Sequence, residues 1–404
     1  MSIAIYTLTS PLHDKQGIET YTKEFFSHLD FDFDYKGEDF STWGKSELDI
    51  IFVRTGGTEN LFKQKYLDVM DVHKSVYLLA SYSSNSLAAS MEILSWLQQK
   101  GIHGEILHGS HQYISDRINS LIQLESARKA LAKTKAAIIG TPSDWLIASK
   151  IDEEAVKGKF GFDIDYIPIE EVEKAFRKTS CLTEDAEKLQ DTMLNKCGTA
   201  DLKNNVSGAV RIYLALKKVI AEHNLNAFTI RCFDLLSSLG NTGCMALAKL
   251  NSEGIVTGCE GDAPAMASMI ISQCLTGKTG FQANPARVDT ENGEVLFAHC
   301  TIPLNMVESY ELDTHFESGI GVGIRGFMKE GPVTVFKISG DASRYFAEEG
   351  ELIENGSRPN LCRTQQLIRF NDKTACQYFL QNPIGNHHII IPGHWKKTIS
   401  DLLA

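Results

Sequence analysis

The sequence predicts an α/β protein: two doubly wound, parallel-sheet (Rossmann-like) domains followed by a C-terminal antiparallel, barrel-like β domain. Three observations carry this. Strand-like and helix-like segments alternate from the N-terminus to about residue 110. The alternation restarts near residue 136 after a long helical segment. Beyond about residue 290 short strands follow one another with little helix between them. Alternation of the first kind implies a parallel sheet covered by helices on both faces, and a run of strands without crossovers implies antiparallel pairing.

Each segment has its own justification. SIAIYTL, DIIFVRT and SVYLLASY are short β-branched or aromatic runs, whereas IETYTKEFFSHL, TENLFKQKYLDVMDVH and SLAASMEILSWLQQKG space their apolar residues as helices do. The loops RTGGTEN (54–60) and SYSSNS (81–86) fall at strand ends, where such sheets bind ligands. QYISDRINSLIQLESARKALAKT (112–134) reads as a long helix, and AAIIGTP opens a fresh sheet. The expected domains are therefore 1–134, 135–290 and 291–404. In the second, FDIDYIPI, AFTIRCFDLL and GIVTGCEGD are strands, with SGAVRIYLALKKVIAEHN and GCMALAKLNSEG as helices between them. In the third, EVLFAHCTIPL, PVTVFKISG, TQQLIRF and HHIIIPG are strands separated by Gly, Asn and Asp turns.

The composition narrows the partners. With 43% hydrophobic and 23% charged residues the chain has ample core, and 404 residues suggest two or three domains. A formal charge of −11 argues against a nucleic-acid backbone as partner, which calls for a basic face. No window has the apolar length of a membrane span, and MSIAIYTLTSP lacks the basic and apolar regions of a signal peptide. Nine scattered cysteines without a CxxC pair fit a reducing, cytoplasmic setting rather than a disulfide framework or a zinc site. No GxGxxG follows the early strands, which disfavours a nicotinamide cofactor.

The chemistry-bearing residues gather at strand ends. Asp234 ends FTIRC, Glu260 and Asp262 end GIVTGC, His299 lies in LFAHC, and His387 and His388 open HHIII. Successive parallel strands deliver their C-terminal ends to one sheet edge, so Asp234 can meet Glu260 and Asp262. Buried carboxylates need a helix N-terminus, a basic side chain or a metal ion. Carboxylates plus one imidazole suit Mn²⁺, Mg²⁺ or a similar divalent cation, which would polarise a sugar carbonyl while a carboxylate moves a proton. Each position also has a plainer use: Asp262 can be the N-cap of a helix with Pro264 in its first turn, and alternation lets only one of His387 and His388 enter a site.

The order RCFDLL, LNSEGIVTGCEGDAPA, FAHCTIP and GNHHIIIPG resembles the L-fucose isomerase / L-arabinose isomerase superfamily, in particular its shorter fucose-isomerase-related members. The resemblance runs from 136 to about 395, with weaker support from NSLAASMEIL at 85–94. It implies two α/β domains and a β domain, a Mn²⁺-dependent aldose–ketose isomerase working through an enediol, a small carbohydrate substrate such as fucose or arabinose, and a homotrimer or homohexamer. Carried onto this chain, it assigns Asp234, Asp262 and His387 to the metal, with Asp234 or Asp262 moving the proton. Asp234 stands where the family carries glutamate. Glu260 and His299 fall on the substrate side, joined by Arg54 and Asn85 of the first domain. Two alternatives remain, a metal-dependent aldolase or lyase on a related sugar and a non-catalytic sugar-binding relative.

Overall fold

In the computed structural model, which describes residues 2–69, 75–179 and 182–403, the chain divides into two compact units, 1–126 and 127–404. The expected helix TENLFKQKYLDVMDVH is present from Glu59 to Val69; residues 70–73 lie outside the described residues.

The first unit is built on five strands, β1 (Ile3–Leu8), β2 (Asp34–Gly37), β3 (Leu48–Val53), β4 (Val76–Ala80) and β5 (Gly104–Leu107). All pair in parallel, in the order β2-β1-β3-β4-β5. Residues such as Ile5, Ile51, Val53 and Leu78 are fully buried, because helices cover both faces and leave no strand face to water.

The second unit carries a four-stranded parallel sheet, β6 (Lys135–Ile139), β7 (Asp163–Ile167), β8 (Ala227–Ile230) and β9 (Val256–Gly258), ordered β7-β6-β8-β9. The helix Ala200–His223 lays Ile212, Leu216 and Val219 in one core with Ile139, Phe228 and Ile230 of this sheet. The chain then enters six strands that close into a barrel: β10 (Phe281–Asp289) and β11 (Glu294–His299), then, past the separate hairpin of β12 (Ser309–Asp313) and β13 (Gly323–Phe327), β14 (Gly331–Ile338), β15 (Tyr345–Gly356), β16 (Thr364–Phe370) and β17 (His388–Pro392). Every barrel pairing is antiparallel. The expected fold class, two parallel sheets and an antiparallel barrel, is the observed one.

Two barrel strands carry no strand pattern in the sequence. β10 contains Pro285, tolerated because the register slips between Pro285 and Arg287 at a bulge. β15, YFAEEGELIENG, is rich in glutamate, and its own bulge lies between Leu352 and Glu354. Barrel residues Phe297, Val335 and Ile390 share one core with Val206 and Ala209 of the long helix and with Met245 and Ala248 of Cys244–Ser252. That shared core holds the C-terminal edge of the second sheet beside the barrel strands that bear the histidines.

Candidate active site

The loop that leaves β9 is where the carboxylates enter. Gln282 of β10 grips its start, accepting from the Cys259 N–H at 2.9 Å and donating to the Cys259 carbonyl at 3.3 Å. Glu260 follows at φ +65°, a left-handed conformation that costs a non-glycine residue on the order of 1–3 kcal/mol. Its carbonyl accepts from the Ser143 N–H at 2.9 Å, tying it to the loop after β6. Gly261 then packs backbone to backbone: a Cβ there would stand 2.6 Å from the Thr141 carbonyl oxygen and 2.8 Å from Pro142 Cα, so no larger residue fits. Asp262 ends the turn and caps the helix Ala263–Thr276, accepting from the Ala265 N–H at 2.8 Å with Pro264 in the first turn.

Capping is only part of what Asp262 does. Its side chain is fully buried beside Lys337 of β14, itself fully buried, with Nζ 3.4 Å from both carboxylate oxygens. Oδ2 also lies 2.9 Å from His387 Nδ1 and 3.4 Å from the Ser149 hydroxyl. Burial alone would raise the Asp262 pKa; the Lys337 ammonium and His387 outweigh it and hold the carboxyl below the usual range. Burial in turn lowers Lys337, against the pull of Asp262. Since an ionised carboxylate only accepts, His387 must present Nδ1–H to Asp262, which leaves Nε2 facing away.

What Nε2 faces is Glu260. Glu260 Oε1 lies 3.4 Å from His387 Nε2 and 3.6 Å from His299 Nε2. The two imidazoles stand 5.3 Å apart, steeply inclined. Although Oε1 is near, it makes no hydrogen bond with His387 Nε2, which is buried with no hydrogen-bond partner. The other nitrogen of His299, Nδ1, meets the Thr301 hydroxyl at 3.1 Å. The second oxygen of Glu260, Oε2, accepts from the Trp145 indole N–H at 2.6 Å. One ligand atom from each of Glu260, His299 and His387 can thus be chosen so that all lie within 4.8 Å of one another.

The electrostatics follow from these contacts. Burial would raise Glu260, but His387 and His299 keep it well below the ordinary carboxylate range. Burial disfavours charge on His387, yet Glu260 and Asp262 push its pKa up to about 9. His299 is lowered, chiefly by burial. His388 points elsewhere: its Nε2 meets the Tyr378 hydroxyl at 3.0 Å among Phe297, Phe346 and Phe379, and burial takes it down to about 3.

Four of the residues singled out from the sequence, Glu260, Asp262, His299 and His387, therefore stand together. Asp234 does not join them. It begins the short helix Asp234–Leu239, is about two-fifths exposed, and binds Arg231 Nε at 3.0 Å. The same guanidinium reaches both oxygens of Asp144, the Thr141 hydroxyl and the Pro142 carbonyl, so Asp234 anchors a clamp on the loop after β6. Arg54 and Asn85 belong to the first unit. Arg54 is buried and bound to Glu19 at 2.7 Å and to the Thr9 hydroxyl, while Asn85, at φ +56°, precedes the helix Ser86–Gln99 without a capping side-chain bond. Sequence reasoning passed over Lys337 and Trp145. The signal for Lys337 was available: it lies two and four residues past Val335 and Val333, on the same face of the strand.

Comparison with known proteins adds to this geometry. The family model of the L-arabinose isomerase central domain matches residues 148–277, the stretch that contains Asp234, Glu260 and Asp262. The sulfoquinovose isomerase of Alkalicoccus urumqiensis is 22% identical over 305 residues, covering 72% of this chain and 67% of that protein. These matches make the chain similar to the L-arabinose/L-fucose isomerase-like superfamily. The sulfoquinovose isomerase of Clostridium sp. (strain MSTE9) is 26% identical over 224 residues, or 54% of this chain and 48% of that protein. The chain spans about two thirds of the first relative's length and about half of the second's. The resemblance drawn from the motifs is borne out. Among the described residues no helix is long and apolar enough to cross a membrane.

Proposed function

We propose that this chain is a divalent-metal-dependent aldose–ketose isomerase whose cation is held by Glu260, His299 and His387. The observation that supports it most directly is the buried, partnerless Nε2 of His387, set beside Glu260 Oε1 with His299 Nε2 close by. A buried nitrogen without a partner is costly, and two imidazoles with one carboxylate form a donor set suited to Mn²⁺ or a similar ion. When bound, such an ion supplies Lewis-acid polarisation of the sugar carbonyl and its neighbouring hydroxyl.

The chain's own residues then divide the work differently from the expectation carried over from the family. Asp262 becomes the buttress of His387, presenting Nε2 to the cation as a carboxylate behind a ligating histidine does. Because Lys337, His387 and the Ala265 N–H all engage its oxygens, it is not free to exchange protons with a sugar. Asp234 is held by Arg231. With Oε1 turned toward His387 and His299, Glu260 is the carboxylate left to move a proton between adjacent sugar carbons, through Oε2, which Trp145 keeps in place. Sulfoquinovose, the sugar in both relatives' names, is the first substrate to try, with fucose and arabinose beside it.

The test begins with protein purified without added metal. Elemental analysis is expected to find near-stoichiometric manganese or another divalent ion, or uptake on adding Mn²⁺. The loaded protein is then incubated with each sugar and the products followed by carbon NMR. Interconversion of an aldose and a ketose with the skeleton intact supports the proposal. Failure to take up any divalent ion, or cleavage of a carbon–carbon bond, would overturn it in favour of a binding protein or a lyase.

A further inference from the structure

Trp145 stands out among the exposed apolar residues of the second unit. It is 51% exposed on the loop that follows β6, yet its indole N–H is committed to Glu260 Oε2 at 2.6 Å. A single exposed aromatic needs no explanation by itself. One tied by its polar end to a carboxylate at the centre of a site does, because its exposed ring then sits one side chain from the reacting position.

The loop is built to hold that ring still. Arg231 binds Thr141, Pro142 and Asp144 in the residues just before it, and the Ser143 N–H binds the Glu260 carbonyl. Leu146, next along, is buried, and its N–H returns to the Ser143 carbonyl at 2.9 Å. The Trp145 ring meets Phe233 edge-on at 4.9 Å, and Phe233 meets His315 edge-on at 5.4 Å. Aromatic pairs in this arrangement are favourable and stiff. Beyond it, Ile147 is 84% exposed, so the rim on this side is apolar.

We propose that Trp145 is a positioning and specificity residue for the carbohydrate. Its N–H holds Glu260 Oε2, so that only Oε1 faces His299 and His387, and its exposed face takes the C–H face of the sugar ring. An indole face is electron-rich and apolar, and the C–H hydrogens along one face of a pyranose are its complement. The cation and hydroxyls would be met from one side, the carbon skeleton from the other. This inference rests on the isomerase reading above.

Two variants separate its halves. Trp145→Phe keeps a ring and loses the N–H, whereas Trp145→Ala loses both. Mn²⁺ affinity, measured by titration of the metal alone, is expected to change on the order of 10-fold or more in both variants, as for other groups that orient a ligand. With whichever of sulfoquinovose, fucose or arabinose the unaltered chain interconverts, Trp145→Ala is expected to raise KM about 10-fold or more. Trp145→Phe should leave KM within about 3-fold and lower kcat, since Glu260 loses its anchor. Tryptophan emission should shift on adding that sugar, and the shift should vanish in Trp145→Phe although Trp43, Trp96 and Trp395 remain. Variants that match the unaltered chain in Mn²⁺ affinity and KM would overturn the inference. A chain that interconverts none of the three sugars would overturn the isomerase reading instead, and the Mn²⁺ titration would still decide whether Trp145 fixes Glu260.

Discussion

Two carboxylate clusters lie at the C-terminal edge of the second sheet, and they differ mainly in burial. At the rim, Asp234 and Asp144 share Arg231, and Asp144 is 85% exposed. At the centre, Asp262 shares Lys337 and His387, and all three are fully buried. The rim pairs are screened by water and contribute little. The central pair has no water to fall back on, so each charge depends on the other, and the geometry they fix is passed to His387. Similar residue types at neighbouring strand ends thus become a loop clamp in one place and the frame of a site in the other.

The largest expected effect breaks the central pair. Asp262→Ala strands the Lys337 charge in the interior and removes the cap of Ala263–Thr276. Loss of one partner of a buried pair costs about 3–5 kcal/mol, with about 1 more for the cap. Chemical denaturation should show that loss, and the double variant Asp262→Asn with Lys337→Met should regain most of it, because no buried charge is left alone. The sign with pH follows from the depressed Asp262 pKa. Its contribution is in full force above the ordinary aspartate value of about 3.9 and fades as the pH falls through the lower folded value. An Asp262→Ala variant as stable as the unaltered chain would mean that the pair is not closed in solution.

The next effect sharpens the comparison by asking which residues feel a cation. Under the proposed assignment Glu260→Gln and His387→Gln each remove a ligand and should weaken Mn²⁺ binding by more than about 100-fold. Asp262→Asn, which only loosens the orientation of His387, falls in the 10–100-fold range of residues behind a ligand. Competition titration against a chelator measures all three. Equal losses for Glu260→Gln and Asp262→Asn would place Asp262 on the metal itself, as the family resemblance first implied.

How much of this was legible in the sequence can be argued from the residues. Alternation of strands and helices, then of strands alone, gave the two sheets and the barrel, because hydrophobic period reports burial directly. It missed β10 and β15, where Pro285 and a run of glutamates mask strands that bulges accommodate. The polar residues at strand ends were legible as a group, since parallel topology sends them to one edge. Their partners were not. Nothing in CEGDAP says that Oδ2 of Asp262 will meet His387, 125 residues later, or that Lys337 will arrive from a barrel strand. Arg231 was in plain view three residues before Asp234, the spacing of neighbours on a helical turn, and it is this cation that occupies the Asp234 carboxylate.

The smallest expected effect follows from that last point. Asp234→Asn leaves Arg231 with Asp144, Thr141 and Pro142, so the clamp on the loop keeps most of its bonds. A half-exposed ion pair of this kind is worth about 0–1 kcal/mol, so stability by denaturation should change by about that much or less. Mn²⁺ affinity should be unaltered, because the carboxylate belongs to the rim and the cation to the centre. Any change in KM should be under about 3-fold, the residue of a slightly looser loop beneath Trp145. A Mn²⁺ affinity that fell in Asp234→Asn as far as in Glu260→Gln would erase the distinction between rim and centre. It would mean that binding the cation releases Asp234 from Arg231 and draws it inward.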